Sequence, residues 1–162
     1  MNPHEITDEA DKATEEAATE PAKQPQKSAS TILVQLAMQL YAFGVSDGGE
    51  AYALPKEGPR VVLMLRGGKT SLRGQLARAY FDAAGKAPPQ QALADALLVI
   101  QGMAEDSEPV TLYQRVARHD GALWLDLGDR SGRAVQVTAT GWAIKDSPPV
   151  LFRRTPLTGE LP

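Results

Sequence analysis

In this chain of 162 residues the stretch most suited to chemistry is VVLMLRGGKTS, residues 61–71. A strand, two glycines, Lys-Thr and a helix start follow the layout of a phosphate-binding loop. The full pattern is G-x-x-x-x-G-K-[ST], in which backbone N–H groups wrap the phosphates. With Gly68-Lys69-Thr70 as its second half, the first glycine falls on Leu63. Leucine in mid-strand makes no wrapping loop. The stretch therefore reads as a glycine turn into a helix whose N-cap is Thr70 or Ser71.

The charges around it say more. Arg60, Arg66, Lys69, Arg73 and Arg78 fall within nineteen residues that hold no acid. Arg73 and Arg78 lie off the apolar stripe of the following helix, and Lys69 sits near its N-terminus. Cations beside a helix N-terminus favour phosphate. The plain alternative is a solvated helix face. The expected phosphate contacts are Arg66, Lys69, Arg73 and Arg78, with Arg118 as an auxiliary.

Other reactive groups have structural duties. Asp120-Gly121 is the favoured pair for a two-residue hairpin turn. Asp126 is expected to face Arg115 across that hairpin, and Asp129 to start a GDRSG turn. That leaves no carboxylate for a metal. His4 and His119 are the only histidines, so no Ser-His-Asp set can be placed, and without cysteine there is no thiolate or disulfide. No catalytic residue, metal or cofactor is expected. Tyr113, Trp124 and Trp142 suit base stacking, but their plainer role is to cover a sheet.

The elements that position these groups follow from periodicity. Ser30 reads as the N-cap of a first helix, with Ile32, Leu33, Leu36, Ala37, Leu40 and Tyr41 on one face and Gly44 as its stop. Strands at 50–54 and 60–66 should pair as a hairpin. A second helix carries Leu72, Leu76, Ala79, Tyr80 and Ala83 and ends at Gly85. A third, opened by Pro89, carries Leu93, Ala96, Leu97, Ile100 and Ala104. Its outward glutamines come with no Arg or Lys, a poor dress for a DNA groove. Residues 111–129 form a ribbon around Asp120-Gly121. One side is apolar, with Leu112, Val116, Leu123, Leu125 and Leu127; the polar side carries Tyr113, Arg115, Trp124 and Asp126. Strands at 133–139, 141–146 and 150–154 follow. The expected fold is α+β: a winged-helix-like helix–hairpin–helix–helix–hairpin, then an antiparallel β-meander.

Residues 1–29 read as a disordered acidic tail, 30–154 as a single α+β domain, and 155–162 as the start of a linker. The first thirty residues hold seven acids, three lysines and, beyond Met1, one large apolar residue, Ile6. The remaining 132 carry 14 basic and 13 acidic residues, so the net charge of −3 comes from the tail. No apolar run reaches the ~20 residues of a membrane span, and no signal peptide is visible, so a cytoplasmic location is expected.

The words APPQQALADALLVIQGMA, RVARHDGALWLDLGD, GRAVQVTATGW and DSPPVLFRRT carry a resemblance. They resemble the region upstream of the P-loop ATPase domain in actinobacterial phage- and mobile-element-type primase–helicase (ATP-binding) proteins, over most of residues 31–157. The resemblance implies a DNA-replication or mobile-element context and an ATPase or helicase domain or subunit as partner. It implies that the nucleotide site lies outside this region, and it assigns no catalytic residue here. The expected function is a non-catalytic module that binds nucleic acid, DNA before RNA, or a partner, with no membrane and no small-molecule role. The alternatives are an assembly domain without DNA affinity and a nucleotide binder using GGKTS.

Overall fold

A computed structural model describes residues 27–67 and 71–161. Its described residues form a mixed α+β fold of three helices and nine strands. Helix α1 (Ala29–Leu40) runs directly into strand β1 (Tyr41–Val45), which pairs antiparallel with β2 (Ala51–Pro55). The short β3 (Leu63–Met64) joins the far side of β2. Helices α2 (Leu72–Ala84) and α3 (Gln90–Glu105) come next. Strand β4 (Leu112–Tyr113) pairs parallel with β9 (Leu151–Phe152). Between them lies an antiparallel meander of β5 (Val116–His119), β6 (Ala122–Asp126), β7 (Ala134–Thr138) and β8 (Gly141–Lys145). No helix is long and apolar enough to cross a membrane among the described residues.

Most of the helical stripes are where their spacing puts them, although Leu40 and Ala83 are exposed. Leu93, Ala96, Leu97, Ile100 and Ala104 are all buried, as are Leu72, Leu76 and Tyr80. All of these except Ala104 form the first core together with Leu33, Ala37, Ala53 and Leu65, three helices against the β1–β2 hairpin. Gly85 closes α2 with φ 68°, a left-handed value that glycine takes without steric cost. Expected strands 50–54 and 60–66 do pair, through Tyr52–Met64 and Ala53–Leu63.

The first helix differs from expectation at both ends. Its N-cap is Ser28, whose Oγ accepts from the Thr31 N–H at 3.2 Å, rather than Ser30. It stops at Leu40, and the residues expected to finish it become β1, so Gly44 lies inside a strand. The reason is tertiary: Lys56 N–H donates to the Leu40 carbonyl at 3.0 Å and Lys56 Nζ to the Met38 carbonyl at 2.6 Å. Both satisfy carbonyls that a helix end leaves unpaired, and the cation suits the negative end of the helix.

The ribbon has the predicted register, Arg118 opposite Leu123, Ala117 opposite Trp124 and Val116 opposite Leu125. Asp120 (φ 48°) and Gly121 (φ 73°) both take the positive φ of a type I′ turn. The faces are the reverse of those expected. The buried side holds Ala117, Ala122, Trp124 and Ala134, packed on Val150 and Phe152 as a second core. The leucine side is open. Alanine on the buried side is the reason, because small residues leave room for the large Trp124, which is 6% exposed. The ribbon pairs with β7, which in turn carries β8, and not with β1–β3. A third cluster of Tyr52, Val62 and Leu151 joins the two halves, helped by a parallel bridge between Ser46 and Val110.

Candidate functional site

Where the halves meet, a cleft of about 520 Å³ opens. Its walls come from three separated parts of the chain: residues between Pro59 and Gly67 with Ser71 and Gln75 at the start of α2, the turn 128–130, and residues 153–158 after β9. Four arginines line it: Arg66, Arg130, Arg153 and Arg154. Ser71 and Gln75, from the first turn of α2, line the same wall.

Two of the arginines are spent on structure. Arg154 holds Asp126 in a bidentate pair, Nε to Oδ2 at 2.9 Å and Nη2 to Oδ1 at 2.6 Å, and also donates to the Asp129 carbonyl. Arg153 is paired with Glu50. The other two are less committed. Arg66 makes one long hydrogen bond, 3.4 Å to Gln101 Oε1, and Arg130 is exposed with no ion pair among the described residues. Ser71 is the N-cap of α2 and is buried, yet its side chain makes no capping hydrogen bond. First-turn N–H groups of a helix lack partners within it. Cationic forks, a helix N-terminus and the Ser71 hydroxyl around one cleft make an environment for an anion.

The acids beside the cleft are occupied. Asp126 is expected opposite Arg115 in charge as well as in register, but its carboxylate turns to Arg154, with Gly128 N–H donating at 3.0 Å. Arg115 instead donates to the Gly159 carbonyl at 2.8 Å. Asp129 accepts from Arg133 Nε at 2.5 Å and from its backbone N–H at 3.1 Å. Burial pushes the Asp129 carboxyl up, but the hydrogen bonds and charge of Arg133 outweigh this and hold it below the usual carboxylate range. The same pairing raises Arg133. His119 Nε2 lies 3.2 Å from its neighbour Asp120 at the turn. No three His, Cys, Asp or Glu side chains converge among the described residues.

Of the five residues expected to touch phosphate, Arg66 lines the cleft. Lys69 lies outside the described residues, as do Gly68 and Thr70 of the GGKTS stretch. Arg73 is exposed on α2 outside the cleft. Arg78 is tied one turn along to Asp82, Nε to Oδ1 at 2.9 Å. Arg118 stands on the open face of the meander, in register with Leu123. The aromatic platform does not assemble: Trp124 is buried, Tyr113 is half-buried, and only Trp142 is exposed. Arg130, Arg153 and Arg154 were not singled out by sequence. Their signal was the RR pair after Phe152 and the cation inside GDRSG, too common to stand out without the fold that joins them.

On α3 two of the glutamines are engaged, Gln91 with Asp95 at 2.7 Å and Gln101 with Glu105 at 3.1 Å. The rest of its outer face is apolar, with Leu98, Val99 and Met103 exposed. No protein-family model, curated protein or solved structure matches the chain.

Proposed function

We propose that this chain is a non-catalytic nucleic-acid-binding module, and that it belongs to a primase–helicase-type ATPase system of phage or mobile-element origin. The single observation that carries the binding role is the arginine-lined cleft at the N-terminus of α2, where Arg130 has no ion pair among the described residues and Arg66 makes one long hydrogen bond. The system is inferred from the resemblance in residues 31–157 alone. The first half, helix–hairpin–helix–helix, is read as winged-helix-like from its order of elements. It is not used as a sequence reader in this proposal, since Gln91 and Gln101 of α3 are engaged and its face lacks cations. Recognition is therefore of the phosphate backbone, independent of sequence, with DNA preferred to RNA.

The test is DNA binding by fluorescence anisotropy across a salt series, with single-stranded and duplex probes. Affinity should fall linearly with salt on logarithmic axes. Arg66→Ala and Arg130→Ala should each weaken binding to every sequence and reduce the slope by about 1. Arg78→Ala, with its guanidinium already paired, should do less. No binding at low salt, or binding indifferent to Arg66 and Arg130, overturns the reading.

A further inference from the structure

The meander's open face is built in two cross-strand rows. One row is Val116, Leu125, Val135 and Ile144; the next is Arg118, Leu123, Val137 and Trp142. Alternation along each strand puts all eight on one side. Trp142 is 71% exposed, Val116 55% and Leu123 43%, with Val137 and Ile144 similarly open. Those five leave on the order of 500 Å² of apolar surface in water, at the size of a monomer's largest, commonly functional patch. The opposite face of β5, β6 and the start of β7 is already filled by the second core.

We propose that this face packs against the same face of a second copy of the chain, forming a two-fold β-sandwich. The distribution of charge selects that occupant. Row two has a cation at one end, Arg118, and an indole at the other, Trp142, with aliphatic side chains between. A two-fold axis parallel to the strands, between β6 and β7, lays β5 over β8 of the second copy. Arg118 of each copy then stacks on Trp142 of the other, a cation–π contact made twice. Leu123 meets Val137 and Leu125 meets Val135, the interdigitation of an aligned sandwich. The apolar centre with its rim approaches the roughly 800 Å² per partner of a standard interface. Nucleic acid is a poorer match, because aliphatic rows offer one ring for stacking instead of a platform. The chain's own residues 1–26 are also a poor match, with seven acids and Ile6 as the one large apolar side chain beyond Met1.

Sedimentation of the full chain from micromolar to sub-millimolar concentration tests this. A reversible monomer–dimer equilibrium is expected. Leu123→Lys, which would bury an unpaired charge near the axis twice, should weaken it by more than about a hundredfold. Phe81→Lys, an exposed apolar site on α2, should leave it unchanged. Because the chain has no cysteine, an Arg118→Cys chain mixed with a Trp142→Cys chain gives a second readout that does not depend on the lysine variant. A bis-maleimide that spans the roughly 10 Å between packed sheets should cross-link the mixture more than either chain alone. A chain that stays monomeric overturns the proposal in favour of a different protein on this face. A dimer that survives Leu123→Lys, or that shows no preference for the 118–142 cross-link, overturns it as well.

Discussion

Arg154 grips Asp126 from 28 residues along the chain, with two hydrogen bonds of 2.9 and 2.6 Å onto a carboxylate that is 1% exposed. This pair fastens the segment after β9 to the end of β6, and so sets the rear wall of the cleft.

Removing one partner should therefore be costly. Arg154→Ala leaves a buried carboxylate with only the Gly128 N–H for company, and should cost about 3 kcal/mol in urea unfolding. Replacing both, as Asp126→Leu with Arg154→Met, should cost less than the sum of the single changes, because no charge is left stranded. Additive losses would show that the two do not act as a pair.

Gly44 and Tyr52 face each other across the β1–β2 hairpin. A Cβ on Gly44 would lie 2.5 Å from the Tyr52 hydroxyl oxygen and 2.6 Å from Cζ, so the ring occupies the space a side chain needs. Tyr52 is buried and belongs to the cluster that joins the two halves. Gly44→Ala should cost about 1–3 kcal/mol through overpacking. In a Tyr52→Leu background the same change should cost clearly less, and a double-mutant cycle in urea measures the difference. Equal costs in both backgrounds would mean the ring is not the obstacle.

Ser28 and Ser30 separate local from tertiary information. Ser28→Ala should cost about 1 kcal/mol of stability, since Ser28 Oγ caps α1, and Ser30→Ala close to nothing. Thermal unfolding of the two variants compares them directly, and the reverse order would restore Ser30 as the cap. The sequence pointed to Ser30 because two serines two residues apart differ little by pattern. The same limit explains most of what was not legible. The stripes of α2 and α3, the Asp120-Gly121 turn and the ribbon register were readable because short-range rules govern them. Which ribbon face is buried was not, because Leu123 and Leu125 outbid Ala117 and Ala122 on hydrophobicity. Trp124, with Val150 and Phe152 from far along the chain, decides the matter. The cleft was half legible for the same reason. Arg66 stood in a local basic cluster, whereas Arg130 and Arg154 reach it only through the parallel β4–β9 pair and the Asp126 clamp.

Asp129 supplies the pH dependence. Burial works against its charge, but Arg133 prevails, so its folded pKa lies below the ordinary 3.8. A depressed carboxylate contributes stability that is present above the unfolded value and is lost as pH falls through the folded one. Asp129→Asn should lower stability at neutral pH by about 1–3 kcal/mol through the weakened hydrogen bonds to Arg133. The gap between the two proteins should narrow as the pH falls below about 4 towards the lower folded value, because the unfolded chain takes up the proton first. Urea unfolding along a pH series reads this, and a gap that stays constant through the acid range would remove Asp129 as the titrating group. The consequence reaches the cleft. Asp129 and Arg133 close the turn that presents Arg130, so the asparagine variant should also weaken DNA binding at neutral pH although it removes a negative charge. Simple electrostatics predicts the opposite sign, and anisotropy at fixed salt distinguishes a positioning effect from a charge effect.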